Sequence, residues 1–569
     1  FRRLGKGRFR KAPEEQVKAA LLGIEKKRLQ AEQVDVWADE LIAGRCPLEV
    51  KEQLYRILFK PDKNSAEYKA VVEASRRSQR PPLELLTSAG AIDSPYQFHW
   101  KRFLFEEFAK GVAFPSVPVP TLGEEPPLAE AAAFSIDDSA TTEIDDALSV
   151  TGLGSGRVCV GIHIAAPALA IAPGSALDAI ARERLSTVYV PGHKITMLPA
   201  STVEAFSLAE GRIAPVLSLY VTLDEASLEP LAEETRIERV RIAANLRHDL
   251  LHGDINEATL REGLGDGVPF AAELTFLDRL ARHLKAGREV VRGKPENFNR
   301  PDYAFRIDSL DGAAIEGTER VEISTRPRGS ALDLIVAEAM ILANSRWGAL
   351  LADCGVPGIY RSQASLAPGI KVRMGTRPAP HAGIGVAQYA WSSSPLRRYV
   401  DLVNQWQLIA CVRHGRSAAL VAPFKPKDVA LLAVIADFDA SYAAYAGFQA
   451  QMERYWALQY LRGNGIAELT GTVMRDGLVR ADRLPLVFRA VGAEPLARGS
   501  PVRVRLGRID LLTLDVAAQV DGSVAVAGAA DPARSEDDDD EDIAGPLAVV
   551  IAVDDDSVAA GGEAALLPS

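Results

Sequence analysis

Through the first hundred residues the apolar positions recur three and four apart. EEQVKAALLGIEKKRLQAE and AEYKAVVEASRRSQ keep that spacing with strong helix formers between, so both are predicted helices. RPPLELLTSAGAID opens near proline and breaks at Ser-Ala-Gly, as a short helix-turn-helix-like element does. Residues 1–110 are therefore expected to form a helical domain. The period is lost over 111–130, where GVAFPSVPVPTLGEEPPL holds five prolines and reads as a linker or an extended wrapping segment. The long region 131–465 begins with β-rich runs (DALSV, RVCVGIHIA, STVYV, PVLSLYVTLD). It then turns helical through LDLIVAEAMILANSRWGALLADCG, RRYVDLVNQWQLIACVRHG and the stretch 428–462. Strands followed by helices, without strict alternation, predict an α+β domain. Over 466–530 short strands alternate with glycine and polar turns, which suits a small OB-type β-barrel. The whole is expected to be a multidomain α+β chain, its 569 residues exceeding the roughly 250–300 at which single cores stop growing.

Charge changes this picture more than composition does. The chain has 65 basic and 76 acidic residues, a net of −11, which at first argues against a polyanionic partner. Residues 531–569, however, hold 12 of the acids and one arginine, leaving 64 of each sign in the other 530 residues. A balanced body binds a polyanion when its cations line a groove and its acids gather at a metal. The run SEDDDDED within that acidic tail reads as a solvated segment, or as a competitor for basic surfaces. Six of the first eleven residues are basic, making either a solvated arm or one that seeks phosphate. Cys46, Cys159, Cys354 and Cys411 lie far apart without a CxxC pair, which favours a reducing cytosol over zinc knuckles or disulfides. No uninterrupted apolar run approaches the roughly 20 residues of a membrane span, and the basic start lacks the apolar stretch of a secretory signal. A cytoplasmic protein is expected, with no membrane and no small-molecule cofactor. It is expected to be a monomer, since no coiled-coil or self-complementary face is evident.

One segment stands apart: Phe134-Ser-Ile-Asp-Asp-Ser-Ala-Thr-Thr-Glu-Ile-Asp-Asp-Ala-Leu148. Asp137, Asp138, Glu143, Asp145 and Asp146 fall within ten residues, with no lysine or arginine among them. Ile136, Ile144, Ala147 and Leu148 punctuate the acids and tie them to a core. Carboxylates crowded in this way need a compensating cation, and oxygen ligands without His or Cys suit Mg²⁺ or Mn²⁺. An acidic turn without metal is the other reading. An EF-hand is excluded, since counting from Asp137 puts Thr142 at the glycine position and Leu148 at the glutamate position.

Trp391-Ser-Ser-Ser-Pro-Leu-Arg-Arg-Tyr-Val-Asp401 predicts a helix start that carries Arg397 and Arg398 against the helix dipole. The compensating anion is either Asp401, as a local pair, or a bound phosphate. Tyr189, before Pro191-Gly192, is either packing or a platform for a base. Gly152-Leu-Gly-Ser-Gly156 joins strand to strand and reads as a hairpin turn rather than a phosphate loop. His163 and His381 have no partner at metal-ligand spacing and read as core or supporting groups.

In this order, the three segments closely resemble the catalytic domain of the ribonuclease II family, the RNB domain. Asp137, Glu143, Asp145 and Asp146 match its metal loop. Ser394-Pro-Leu-Arg-Arg-Tyr-Val-Asp401 matches its arginine motif, and Tyr189 matches the tyrosine that clamps the RNA 3′ end. Gly161-Ile-His-Ile164, Arg300-Pro-Asp-Tyr303, Glu338-Ala-Met-Ile-Leu-Ala-Asn344 and His381-Ala-Gly-Ile-Gly385 match as well, so the resemblance covers about 131–465 and runs on into the barrel. It implies processive hydrolysis of single-stranded RNA from the 3′ end to nucleoside 5′-monophosphates, by metal-assisted in-line displacement. The implied metal ligands are Asp137, Glu143, Asp145 and Asp146. Asp145, Asp146 and Arg397 are the implied catalytic residues. Contacts to RNA are expected from Tyr189, Phe298, His248, Arg398 and Tyr303.

The chain also departs from the family. Its N-terminal part reads helical where two cold-shock barrels are usual. Glu143 stands where aspartate is usual, and Ala166 replaces an aspartate. His248 stands where a 2′-hydroxyl-sensing tyrosine is usual, and Ala337 replaces a nearby glutamate. Two rival functions follow: a non-catalytic RNA-binding regulator on the same scaffold, and an exonuclease with relaxed discrimination between RNA and DNA.

Overall fold

The computed structural model describes residues 2–5, 8–10, 13–251, 253–264, 267–296, 302–308, 314–326, 329–367 and 369–523. The acidic tail and Phe298 lie outside the described residues. The basic start forms a short hairpin of β1 (Arg2–Gly5) and β2 (Arg8–Arg10). Six helices follow: α1 (Glu14–Ile42), α2 (Leu48–Glu52), α3 (Leu54–Phe59), α4 (Ala66–Ser78), α5 (Pro82–Ser88) and α6 (Pro95–Glu107). Local chemistry sets where they begin. Ser65 and Ser94 accept from the Tyr68 and Gln97 N–H groups, and Pro82 and Pro95 occupy first turns, where a missing N–H costs nothing. Leu41, Leu58, Val71, Leu85 and Phe98 meet in their shared core.

Residues 108–127 form neither helix nor strand. They run along the central region, with Phe114, Val117 and Leu122 against its core and the Val112 carbonyl accepting from Arg184 at 2.6 Å. The central region then supplies β3 (Leu128–Asp137), β4 (Asp146–Thr151), β5 (Arg157–Ala165) and α7 (Ala176–Arg184). A hairpin of β6 (Val188–Val190) and β7 (His193–Ile195) comes next, before α8 (Ala200–Phe206), β8 (Ile213–Asp224) and β9 (Pro230–Arg247). Strands β3, β4, β5, β8 and β9 close into a five-stranded barrel. Its neighbours are antiparallel except at the seam, where β3 and β9 run parallel with Asp137 opposite Arg247.

This barrel corrects the sequence reading at one boundary. The strand β3 starts at Leu128, inside the expected linker. Its alanine-rich LAEAAAF favours helix, yet pairing with β9 overrides that propensity. STVYV, one of the expected β-rich runs, supplies Val188–Val190 as β6 of the separate β6–β7 hairpin.

After the barrel come α9 (His248–Leu251), α10 (Glu257–Glu262), α11 (Ala271–Arg292), the hairpin β10 (Asp302–Ile307) and β11 (Val321–Arg326), and α12 (Ala331–Asp353). They are followed by β12 (Tyr360–Ser362) paired with β13 (Arg373–Gly375), then α13 (Tyr399–His414), α14 (Ala418–Val421) and α15 (Val429–Gly463). Leu277 of α11 and Ile335 and Trp347 of α12 pack on Phe134, Ile162 and Leu219 of the barrel. Ile180 of α7, Phe206 of α8 and Val403 of α13 pack with Val216 and Ile242. By length and composition α12 and α15 are apolar enough to cross a membrane, although Asp333 and Glu338 interrupt the first and Asp437 and Asp439 the second. Core helices pass the same test, and α12 carries the buried Glu338 and Asn344, which bond Arg288 and Ser393.

The chain's described part ends in five antiparallel strands: β14 (Glu468–Val473), β15 (Leu478–Ala481), β16 (Val487–Arg489), β17 (Pro501–Asp510) and β18 (Asp515–Ser523). Their order is β16-β15-β14-β17-β18, and a bridge between Val491 and Gln519 nearly closes the sheet. Phe488 and Val504 of this sheet share one apolar core with Tyr96 of α6 and Trp456 of α15. The fold is thus a mixed one of helices and sheets.

Candidate active site

Barrel closure explains why the acids converge. Asp137 is the last residue of β3 and Asp146 the first of β4, with the acidic segment spanning the barrel end between them. A cavity of about 620 Å³ opens there, lined by Asp137, Glu143, Asp145, Asp146, Tyr189, Lys194 and Arg397. The Leu396 N–H donates to Asp145 Oδ1 at 2.8 Å, and Arg397 Nε lies 3.3 Å from Oδ2. That second contact is an ion pair without hydrogen-bond geometry, so among the described residues Asp145 Oδ2 is buried without a hydrogen-bond donor; Asp137 Oδ2 is too. Burial pushes the carboxyl of Asp145 well above the usual range despite the opposing pull of Arg397. It raises Asp137 as well. Burial, joined by the charge of Asp137, raises Asp146 to about 7. Buried carboxyls in excess of cations, two of them with an oxygen that accepts no hydrogen bond, fit a divalent cation.

Glu143 is placed differently. Its side chain is buried, and both oxygens are engaged: Thr187 Oγ1 donates to Oε1 and the Tyr189 hydroxyl to Oε2, each at 2.8 Å. Lys194 Nζ sits 3.5 Å from Oε2 and also donates to Thr142 Oγ1. Glu143 therefore ties the acidic segment to the β6–β7 hairpin. The Tyr189 ring itself is exposed to the cavity.

Of the two arginines, Arg397 reaches the cavity with its side chain 41% exposed. Arg398 is held bidentately by Asp401, at 2.8 and 2.7 Å, and lies over the Trp391 ring, so the local pair describes it. Tyr303 stands on β10 opposite Thr325 and does not line the cavity. His248 opens α9 beyond the end of β9. Its ring, Asp138 and Asp249 place one donor atom each within 4.8 Å of one another. Asp249, which also accepts from the Ser139 N–H at 2.9 Å, went unnoticed in the sequence although it adjoins His248. The bland readings of two other features hold. His163 lies between the Ser149 and Ser218 hydroxyls, and Gly152–Gly156 turns β4 into β5 with Gly154 and Gly156 donating to Glu225.

Comparison with known proteins gives the fold a family. The RNB domain model matches residues 127–371 and 369–414, half of the chain. An uncharacterized ribonuclease of Synechocystis sp. is 28% identical over 409 residues, covering 66% of this chain and 57% of its own length. Exoribonuclease 2 of Edwardsiella piscicida is 29% identical over 337 residues, covering 49% of each. The chain thus spans about half the length of the curated relatives it matches. Among solved structures, the Dss1 exoribonuclease of Candida glabrata, an active-site mutant, superposes with a TM-score of 0.64 at 18% identity. That match covers 89% of this chain and 74% of the other. With the matched segment spanning the closed barrel, the acidic loop and the arginine motif, the chain belongs to the RNB domain family.

Proposed function

We propose that the chain is a processive 3′→5′ exoribonuclease that hydrolyses single-stranded RNA to nucleoside 5′-monophosphates, working as a monomer in the cytoplasm with Mg²⁺ or Mn²⁺. One observation carries the reading. Asp137, Asp145 and Asp146 meet at the barrel end with two buried oxygens that accept no hydrogen bond, in one cavity with the accessible Arg397 and the ring of Tyr189. The names of the ribonuclease relatives support it.

Asp137, Asp145 and Asp146 are the residues that would hold the cation, which when bound supplies Lewis-acid activation of the phosphodiester and of water. The remaining work falls to side chains of this chain. Asp145 orients Arg397, whose other guanidinium N–H groups neutralise charge on the phosphoryl oxygens. The Tyr189 ring offers a face to the terminal base while its hydroxyl stays anchored on Glu143. Stacking tolerates any base, as general degradation needs. The strand order of the C-terminal sheet suits an OB-type barrel, and exposed Arg503, Arg505 and Arg508 on β17 offer it a path for the RNA backbone.

The test is a time course on 5′-labelled poly(A) of about 30 nucleotides, with Mg²⁺ and with EDTA. A short limit product, appearing in Mg²⁺ alone while the remaining substrate stays full length, is the expected result. Intact RNA in both conditions, with binding retained in a gel shift, would favour the non-catalytic regulator. A further arm compares all-ribo and all-deoxy strands, because His248 stands beside two carboxylates rather than offering a tyrosine hydroxyl. Equal cutting of the two would favour the relaxed exonuclease.

A further inference from the structure

The hairpin that carries Tyr189 has two supports. Its base belongs to the barrel region: the Thr187 N–H donates to the Arg397 carbonyl at 2.9 Å, and the Tyr399 N–H to the Leu185 carbonyl at 2.8 Å. Its body does not. Val188, Val190 and Ile195 lie in the core shared by α6, α15 and the C-terminal sheet, beside Tyr96, Phe103 and Phe448. The carboxylates stand instead among Phe134, Ile136 and Leu148 on one side and Ile144 and Ala147 on the other, all packed in the barrel cores. The cavity therefore sits on a seam between two packing units.

At the turn of the hairpin, α6 takes hold through rings on His193, where Tyr96 also lies at 6.1 Å, and through the backbone of 315–316. Trp100 stacks on His193, with ring centroids 4.3 Å apart and planes 17° from parallel. Meanwhile Gln97 Nε2 donates to the Ile315 carbonyl at 2.8 Å, and the capping Ser94 hydroxyl to the Glu316 carbonyl at 2.9 Å. The Ile315 side chain then presses on Gly192, where a Cβ would come within 2.3 Å of its Cδ1. Gly192 also has φ +85°, so the turn suits glycine on two counts. Both Gly192 and His193 line the cavity with Tyr189.

We infer that α6 is the mount of the RNA-end clamp, and that Trp100, through its stack on His193, is a positioning residue that sets where the terminal nucleotide stops relative to the carboxylates. The inference rests on the exoribonuclease reading above, and it gives the N-terminal helices a role that needs no contact with RNA. Removing Trp100 leaves the hairpin base and the Ile315–Gly192 contact in place. The fold should survive while the turn loses its registration.

Three variants test this: Trp100→Ala, Trp100→Phe and His193→Ala. Each is compared with the wild-type chain for Kd toward a 5′-fluorescein oligo(A) in EDTA, and for KM, kcat and limit-product length on labelled poly(A) with Mg²⁺. Loss of one stacked aromatic pair predicts about five-fold weaker binding for Trp100→Ala, a KM raised to match, and a longer limit product. Its kcat should change less than about two-fold. Trp100→Phe restores the wild-type product, and His193→Ala lengthens it from the other side of the stack. Wild-type Kd and product length in both alanine variants would overturn the inference. So would a joint loss of kcat and affinity with a lowered Tm in Trp100→Ala and Trp100→Phe alike, since that is packing alone. A wild-type chain that binds RNA without cutting it sinks the exoribonuclease reading only, and the Kd comparison still decides the inference. A wild-type chain that does neither overturns both.

Discussion

The Tyr189 hydroxyl donates to Glu143 Oε2 at 2.8 Å, so the ring facing the cavity is fixed from within the acidic segment itself. With Thr187 on the other oxygen, Glu143 has little left to offer a cation. Its role as an anchor and its expected role as a metal ligand give different results for Glu143→Asp, which shortens the arm by one methylene. As an anchor, the variant binds RNA about three- to ten-fold more weakly, as loss of one hydrogen bond predicts. Its half-saturating Mg²⁺ concentration stays unchanged. As a ligand, the Mg²⁺ dependence moves and RNA affinity does not. Titrating both in one preparation decides between them.

Asp145 is a buried acid with one oxygen that accepts no hydrogen bond, so its neutral isostere should separate chemistry from stability. Asp145→Asn is expected to lower turnover on the order of 10³-fold while RNA still binds. In EDTA the same variant should be the more stable, by about 1 kcal/mol, because burial of the acid outweighs its pairing with Arg397 and the amide carries no charge to desolvate. Saturating Mg²⁺ should reverse that order, since ligand binding stabilises only the chain that can hold it. Thermal melts with and without Mg²⁺ read all of this, and a lower melting temperature for the variant in EDTA would count against the electrostatic argument.

Asp146, raised to about 7, holds a proton in the metal-free chain at pH values where an ordinary carboxyl would not. That proton must leave before the group can hold a cation. Mg²⁺ affinity is therefore expected to fall about tenfold per pH unit below 7 and to level off above it. The folded metal-free chain binds more protons than the unfolded one between the ordinary carboxyl range and 7, so its stability contribution from Asp146 grows as pH falls through that window. Half-saturating Mg²⁺ measured at pH 6 and pH 8 is the direct check. Equal values would remove the coupling.

The acidic segment was legible because it is local. Asp137 to Asp146 lie within ten residues, and their chemistry does not wait on tertiary structure to be noticed. The arginine motif was half legible: the pairing of Arg398 with Asp401 was one of two readings at i,i+3 spacing, and Arg397 was singled out by the family resemblance rather than by anything local. The barrel was not legible, since its seam joins β3 to β9 across more than a hundred residues and β3 begins inside the stretch read as linker. The stack of Trp100 on His193 was hidden for the same reason. Neither ring carries a local signal, because only the tertiary fold lays α6 against the hairpin.

His163 is buried between the Ser149 and Ser218 hydroxyls, each 2.8 Å from a ring nitrogen, and burial lowers its pKa to about 3. The unfolded chain protonates this histidine near 6.5, well before the folded chain does. Its contribution is therefore intact above 6.5 and is lost as pH falls toward 3, reaching about 2 kcal/mol at pH 5. The carboxyls of the site pull the other way over part of that range, so the effect must be read as a difference. His163→Gln is expected to be less stable than wild type at pH 8, where a hydroxyl contact is lost, and to close most of that gap by pH 5. Urea melts at the two pH values supply the numbers. A gap that stays constant with pH would mean that His163 takes up its proton in the folded barrel as readily as in the unfolded chain.

Arg397 meets Asp145 through Nε, which leaves the outer guanidinium nitrogens toward the cavity. Lysine keeps the charge but has no Nε donor partway along the chain. It can pair with Asp145 or reach a phosphoryl oxygen, and it cannot do both in fixed geometry. Arg397→Lys should therefore lower kcat by roughly 10²-fold with KM nearly unchanged, the pattern of an interaction made in the transition state. If the arginine served substrate binding instead, KM would rise and kcat would hold. Steady-state kinetics on a short oligo(A), below the length at which the C-terminal sheet contributes, separates these outcomes most cleanly, because every contact that remains then lies at the cavity itself.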